Sequence, residues 1–276
     1  MTELGIVDIR EIIRAIKSIY NYDFGNYALT SFKQRLERLI IRNNLSNAES
    51  LIKKLRDEPD FFDIFLHEIS VPSTEMFRDP SLWRWLREDL LPSAIEKCVG
   101  QYKIWLPHCV SGGELFTLMI VLSELNLMDK VSIFASSISD KSLEIIREGQ
   151  YDLKKIEVST ENYIRANGTA AFMDYYKLDR YYAFRDPALI ANVEFNKLNI
   201  SFDNAPTNIK LILFRNNLIY YNPGMQDRIL SVLNNSLSAT GHLIIGIKER
   251  ITGVSSGKEF EITNEAESVY KKRIIG

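Results

Sequence analysis

Three short stretches of the 276-residue chain carry side chains that could do chemistry. Thr74-Glu75-Met76-Phe77-Arg78-Asp79-Pro80 places a hydroxyl, an aromatic ring and a guanidinium where an all-helical pattern gives way to a mixed one. Taken alone it reads as simply as a helix end followed by a proline-started helix. Ser111-Gly112-Gly113-Glu114 follows a short apolar run, so its glycines let backbone approach a ligand while Glu114 opens a helix. It is not GxGxxG and has no lysine for phosphates; a carboxylate in such a cradle repels pyrophosphate and attracts a sulfonium or ammonium group. Arg215-Asn216-Asn217-Leu218-Ile219-Tyr220-Tyr221 leaves the end of another apolar run and masses polar groups there. A polar loop leading into a helix explains it equally well. Asn199, after Val193, Phe195 and Leu198, offers one more amide at the same edge, or a turn.

The elements that must hold these residues follow from periodicity. From Val7 to about Ser70 apolar residues recur at three and four, as in Ile9, Ile12, Ile13, Ile16 and Leu36, Leu39, Ile40, which predicts a small helical domain over 1–72. Ser46 or Asn47 is the expected N-cap of its third helix. Ser81 to Leu91 reads as a helix stopped before Pro92. Then Tyr102–Leu106, the Gly-Gly turn, a helix through Leu118 and Leu122, Val131–Ala135, caps at Ser139-Asp140 and a helix through Leu143 spell strand, turn, helix twice over. That order is the signature of a parallel sheet covered by helices. It resumes with Ile209–Phe214, a helix near Met225–Leu237 and the strand His242–Ile245. Tyr163–Phe195, rich in Tyr, Phe and Asn, is expected as a small β insertion inside a domain spanning 73–276.

Composition narrows the classes. With 46% hydrophobic and 25% charged residues the chain can bury a sizeable core, and a net charge of −2 gives no global basic field for nucleic acid or an anionic membrane. No apolar run approaches the roughly 18 residues a membrane span needs, and no signal peptide is visible, so the default location is the cytoplasm. Cys98 and Cys109 have no CxxC spacing, and His67, His108 and His242 stand apart from carboxylates or each other, so neither a disulfide framework nor a metal site is expected.

Thr74 to Asp79, Trp105 to Thr117, Phe134-Ala135-Ser136-Ser137-Ile138 and Arg215 to Tyr221 together resemble, in order and spacing, the motifs of the CheR-type chemotaxis receptor methyltransferases. The likeness runs nearly end to end: Tyr27, Arg35, Arg38, Gly246-Ile247-Lys248-Glu249 and Val269-Tyr270-Lys271-Lys272 also fit. The resemblance implies an α/β, Rossmann-like S-adenosylmethionine-dependent methyltransferase domain behind the helical one. It implies methyl transfer from S-adenosylmethionine, leaving S-adenosylhomocysteine, to glutamate side chains on the cytoplasmic helices of a chemoreceptor. Carried over by matching motif positions, it implies that Thr74, Arg78, Glu114, Ser137, Asn199, Ile200, Arg215 and Asn216 hold the cofactor, with Arg78 and Tyr220 flanking the reacting centre. It further implies a monomer that neither binds nucleic acid nor inserts into membrane. Lys33, Arg35, Arg38 and Arg42 would offer a basic helix face to an acidic receptor bundle, or simply a solvated surface. The β insertion sits where some members carry a small sheet that grips a receptor's terminal peptide by strand addition.

Three positions depart from the family pattern. Ser137 stands where a carboxylate usually accepts both ribose hydroxyls, Gly113 where the first of two adjacent acids is usual, and Pro72 where Asn is frequent. Asp140, one turn beyond Ser137, is expected to cap its helix. A protein that keeps the fold as an interaction module in a signalling assembly is therefore the alternative reading.

Overall fold

The computed structural model describes residues 3–70, 75–200 and 203–273; Thr74 and Pro72 lie outside them. Four helices make the first layer: α1 (Ile6–Tyr20), α2 (Leu29–Arg42), α3 (Ala48–Asp57) and α4 (Phe61–Ile69). Their apolar stripes converge, with Ile12, Ile16, Leu36, Leu39, Leu51 and Phe65 sealed around Phe24. Asn47 is the N-cap of α3, its side chain accepting the Ser50 N–H at 2.9 Å.

Beyond the seam, α5 (Pro80–Trp85), a π turn (Leu86–Leu90) and α6 (Leu91–Glu96) form one continuous rod. Pro92 does not stop it, contrary to expectation. Proline ends an α-helix because its ring meets the carbonyl four residues back and its N–H is missing. Here the widened turn bonds Leu91 N–H to the Leu86 carbonyl, and Pro92 falls in the first turn of the next helical segment, where no N–H is needed.

The centre is a seven-stranded sheet in the order β6-β2-β1-β7-β8-β10-β9. Its strands are β1 (Tyr102–Leu106), β2 (Val131–Ser137), β6 (Val193–Lys197), β7 (Ile209–Leu213), β8 (Leu237–Ile244), β9 (Phe260–Asn264) and β10 (Val269–Lys272). The first five in spatial order run parallel, and β10 and β9 close the edge antiparallel. Ile104 of β1 pairs with Ile133 on one side and Leu211 on the other, which brings the carboxyl ends of β1, β2 and β7 together. Strand order reverses beside β1, the place where such sheets hold ligands.

Helix α7 (Gly113–Glu124) is apolar all round and buried from Leu115 to Leu122. It is covered by α8 (Asp140–Glu148), α9 (Leu153–Arg165) and a three-stranded antiparallel sheet of β3 (Gln150–Asp152), β5 (Tyr182–Arg185) and β4 (Tyr176–Leu178), while α10 (Pro223–Ser236) packs near β8. The small β element exists, but its limits differ from 163–195. It takes a strand from Gln150–Asp152, Tyr163–Arg165 completes α9, and Val193 to Phe195 belong to the large sheet. A three-residue strand leaves no period-2 run to read, which is why β3 was not visible. Among the described residues no helix is long and apolar enough to cross a membrane.

Candidate active site

Arg78 is held by its backbone. Phe77 and Asp79 on either side both adopt left-handed φ, +52° and +57°, a conformation costly for side-chain-bearing residues and persistent only where surroundings impose it. The surroundings are visible: Thr117 Oγ1 accepts the Phe77 N–H at 3.0 Å, Ser159 Oγ accepts that of Met76 at 3.2 Å, and the Arg78 carbonyl receives the Trp83 indole N–H at 3.0 Å. The half-buried Arg78 guanidinium makes no ion pair among the described residues and lines a cavity of about 150 Å³.

The turn after β1 forms the opposite wall. Gly112 has φ +78°, and a Cβ there would lie 2.7 Å from the Phe116 ring, so only glycine fits. Glu114 lies in the first turn of α7, where the exposed helix amides favour a carboxylate. Burial and nearby Glu114 push the Cys109 thiol up, leaving it a neutral part of the wall.

Arg215 ties these two segments together. Emerging from β7, it donates to Glu114 Oε1 at 2.8 Å, to the Arg78 carbonyl at 3.1 Å and to the Asp79 carboxylate. One buried cation between two carboxylates offsets much of the cost of burying its charge, although its Nε has no hydrogen-bond partner among the described residues. Asn216 takes a left-handed φ of +58°. Its N–H and those of Gly246 and Ile219 converge on the buried Glu249 carboxylate at 2.8, 2.6 and 3.3 Å, fixing the loop that ends in Tyr220. A Cβ on Gly246 would come within 2.5 Å of the Asn216 side chain. Burial raises the Glu249 carboxyl, while those backbone N–H groups draw it back.

Arg78, Glu114, Arg215, Asn216 and Tyr220 thus border one cavity, together with His108 and Glu249. Asn199 does not. It lines a second, larger cavity of about 980 Å³ between the helical domain and the ends of β2 and β6, with Tyr22, Phe62, Asp63, Ile138 and Asp140. A third, small cavity of about 10 Å³ shares His108, Asn217 and Tyr220 as lining residues with the first and Ile138 with the second. Ile200 is buried in the apolar cluster beneath Asn199, alongside Trp105 and Leu198. Ser137 is sealed at 1% exposure, and its Oγ has no hydrogen-bond partner among the described residues. It is therefore present at the strand end but reaches neither cavity. Thr74 lies outside the described residues.

Two residues enter the site unannounced by their local sequence. Asp63 on α4 accepts the backbone N–H groups of Asp140 and Lys141 at 2.9 and 2.8 Å and the Ser139 hydroxyl at 3.0 Å, so the first turn of α8 is capped from the other domain. Burial pushes its carboxyl up, but Lys197 at 2.8 Å and those N–H groups outweigh it and hold it below the ordinary carboxylate range. Ser139 caps α8 as expected; Asp140 does not, and its carboxylate pairs with Lys197 at 2.7 Å. Arg35 is the second. It is buried at 9% exposure rather than part of a basic docking face, and Lys33 and Arg42 of that face pair with Glu3 and Glu68. Helical spacing placed these residues on one side of α2 but could not tell what that side would meet.

The two larger cavities differ in what they offer the parts of a ligand with a charged amino-acid end, a sulfonium centre and an adenosine end. Arg78 and Glu114 offer opposite charges to the first end, and the broad cavity beside Asn199 accepts the second. The ribose between them finds no carboxylate at Ser137.

Residues 72–268 match the family described as CheR methyltransferase, SAM binding domain, and residues 7–70 match CheR methyltransferase, all-alpha domain. Cher3 of Pseudomonas putida, a provisionally named methyltransferase, is 30% identical over 266 residues, covering 96% of this chain and 97% of that one. The chemotaxis protein methyltransferase of Listeria monocytogenes is 24% identical, covering 86% and 88%. Chemotaxis protein methyltransferase 1 of Vibrio cholerae is 27% identical, covering 98% and 99%.

Proposed function

The chain belongs to the CheR methyltransferase family, and from that premise we propose that it methylates glutamate side chains on the cytoplasmic helices of a chemoreceptor, as a cytoplasmic component of chemotaxis signalling. One observation carries the reading: Arg78, Glu114, Arg215 and Tyr220, from segments far apart in sequence, border a single cavity at the carboxyl edge of the sheet.

S-adenosylmethionine, when bound, supplies a methyl group on a positively charged sulfur, which a carboxylate oxygen takes without a general base. What the protein adds is placement. Holding two reactants in line can remove several kcal/mol of orientational cost. Arg78, which lines the cavity and makes no ion pair among the described residues, is suited to orient the incoming glutamate by a charge-assisted hydrogen bond. Glu114 and Arg215, already bonded to each other, form a fixed polar wall for the amino-acid end. The Tyr220 hydroxyl borders the same space and completes the alignment. Thr74, Ser137, Asn199, Ile200 and Asn216 keep the roles the family motifs give them as part of this proposal, with Ser137 the weakest fit.

The test is transfer of labelled methyl from S-adenosylmethionine to a receptor cytoplasmic fragment, with base releasing the label as methanol. Arg78→Ala is expected to slow transfer by roughly a hundredfold; base-stable label or an unchanged rate refutes the assignment. The sealed Ser137 favours a second reading, a domain that keeps the fold as a binding module. Calorimetry with S-adenosylmethionine and S-adenosylhomocysteine separates them, since absence of heat leaves only the module.

A further inference from the structure

At the edge of the large sheet opposite the methyl-transfer cleft lies a cavity of about 560 Å³, within the range of small-molecule sites. It opens where β1 starts at Tyr102 and β7 carries Lys210, beneath the end of α6 and against β8 and β10. Lys97, Lys210, Lys271 and His242 line it, and among the described residues no aspartate or glutamate does. None of the three lysines forms an ion pair among the described residues; Lys210 Nζ reaches only Thr240 Oγ1, at 3.5 Å. Three lysines lining one concavity bring like charges together, and in a chain of net charge −2 their gathering is not a by-product of overall basicity.

His242 is the second observation. The residue is 9% exposed, and its Nδ1 is sealed with no hydrogen-bond partner among the described residues. The sealed Nδ1 cannot itself meet a ligand, which leaves Nε2 as the one ring nitrogen able to face the cavity. Apart from the hydroxyls of Ser93 and Thr240, the rest of the wall is largely apolar: Leu90 and Tyr102 are buried, and Val99 stands fully exposed at the rim.

We propose that this cavity binds a small phosphomonoester, its phosphate held among Lys97, Lys210, Lys271 and the Nε2–H of His242, and its apolar body laid against Leu90, Val99 and Tyr102. Lysines from separate elements suit a dianion with three acceptor oxygens, which each ammonium approaches as a point charge, better than a planar carboxylate. The site is independent of the methyl-transfer reading, since it shares no residue with either cavity of that cleft.

Phenyl phosphate, which carries an apolar ring and no adenine, is the probe. It is titrated into the full chain in a phosphate-free buffer, with calorimetry and the histidine ring signals followed by NMR. The expected result is saturable binding that moves the His242 signal and leaves His67 and His108 in place. Lys210→Gln and Lys271→Gln should each weaken binding by roughly tenfold, and Lys53→Gln, on the exposed face of α3, should not. No saturation by about 10 mM, unaltered binding by the Lys210 and Lys271 variants, or movement of His108 in place of His242 overturns the proposal. Inorganic phosphate binding as tightly as phenyl phosphate overturns the apolar half of the assignment.

Discussion

The Arg35 guanidinium of the helical domain lies 4.2 Å from the centre of the Tyr220 ring in the methyltransferase domain. It is anchored there by hydrogen bonds to the Ile69 carbonyl at 2.6 Å and Ser31 Oγ at 2.8 Å, while the Tyr220 carbonyl receives the Ala28 N–H at 2.8 Å. Tyr27 and Tyr221 add a short antiparallel bridge beside it. The helical domain therefore sets the position of the phenol assigned to the reacting centre.

Arg35→Leu should accordingly lower kcat by about ten- to a hundredfold with little change in KM for S-adenosylmethionine, because it frees Tyr220 without touching Glu114 or Arg215. Arg35→Lys should restore little, since an ammonium neither stacks on the ring nor makes the same forked bonds. Steady-state kinetics beside a melting curve decides. A lower melting temperature with kcat intact would reduce Arg35 to a structural role.

That contact shows what local sequence can and cannot disclose. The Thr74–Pro80, Gly112–Glu114 and Arg215–Tyr221 stretches were recognisable because each packs its chemistry into a few consecutive residues, and the described ones do line one cavity. The alternation of strand and helix announced the parallel sheet for the same reason. The contacts of Arg35 and Asp63 were not recognisable, because their partners lie 185 and 77 residues onward, at Tyr220 and Asp140. Pro92 misled because the π turn that admits it leaves no periodic signature. Asn199 was assigned to the same edge as Glu114, but it lines a different cavity, a separation that only packing creates.

Asp63→Ala should loosen the docking of the two domains. It removes the acceptor for two helix amides and the Lys197 ammonium, a loss of about 1 to 3 kcal/mol by comparison with other caps and charged hydrogen bonds. Hydrogen exchange is the measurement. The Asp140 and Lys141 amides should lose protection while those of α3 keep theirs, and unchanged exchange at both would mean that Ser139 alone suffices as the cap.

Ser137→Asp has two opposed effects that can be read separately. A carboxylate at a position 1% exposed, with no donor nearby for the hydroxyl now there, is poorly solvated in the free protein. The melting temperature without ligand should fall by about 5 °C. With S-adenosylhomocysteine present the two ribose hydroxyls supply the missing donors, so affinity should rise by roughly tenfold or more and the ligand-induced gain in melting temperature should exceed the wild type's. A lower melting temperature without tighter binding would show that the ribose is held elsewhere in the cleft.

Stability should also fall with acidification in a window set by His242. Burial, aided by the neighbouring Lys271, lowers its ring to about 4 from the ordinary 6.5, and burial lowers His67 in the same direction. Below pH 6.5 the unfolded chain takes up protons that the folded one refuses, so unfolding becomes easier as pH drops toward 4. The stabilisation is complete above 6.5 and lost progressively beneath it, amounting for His242 to roughly 2 to 3 kcal/mol. Urea midpoints between pH 7 and pH 4.5 in phosphate-free buffers measure it. His242→Gln should flatten most of the slope over that interval, and a slope that survives the substitution would place the proton uptake on His67 or on carboxylates.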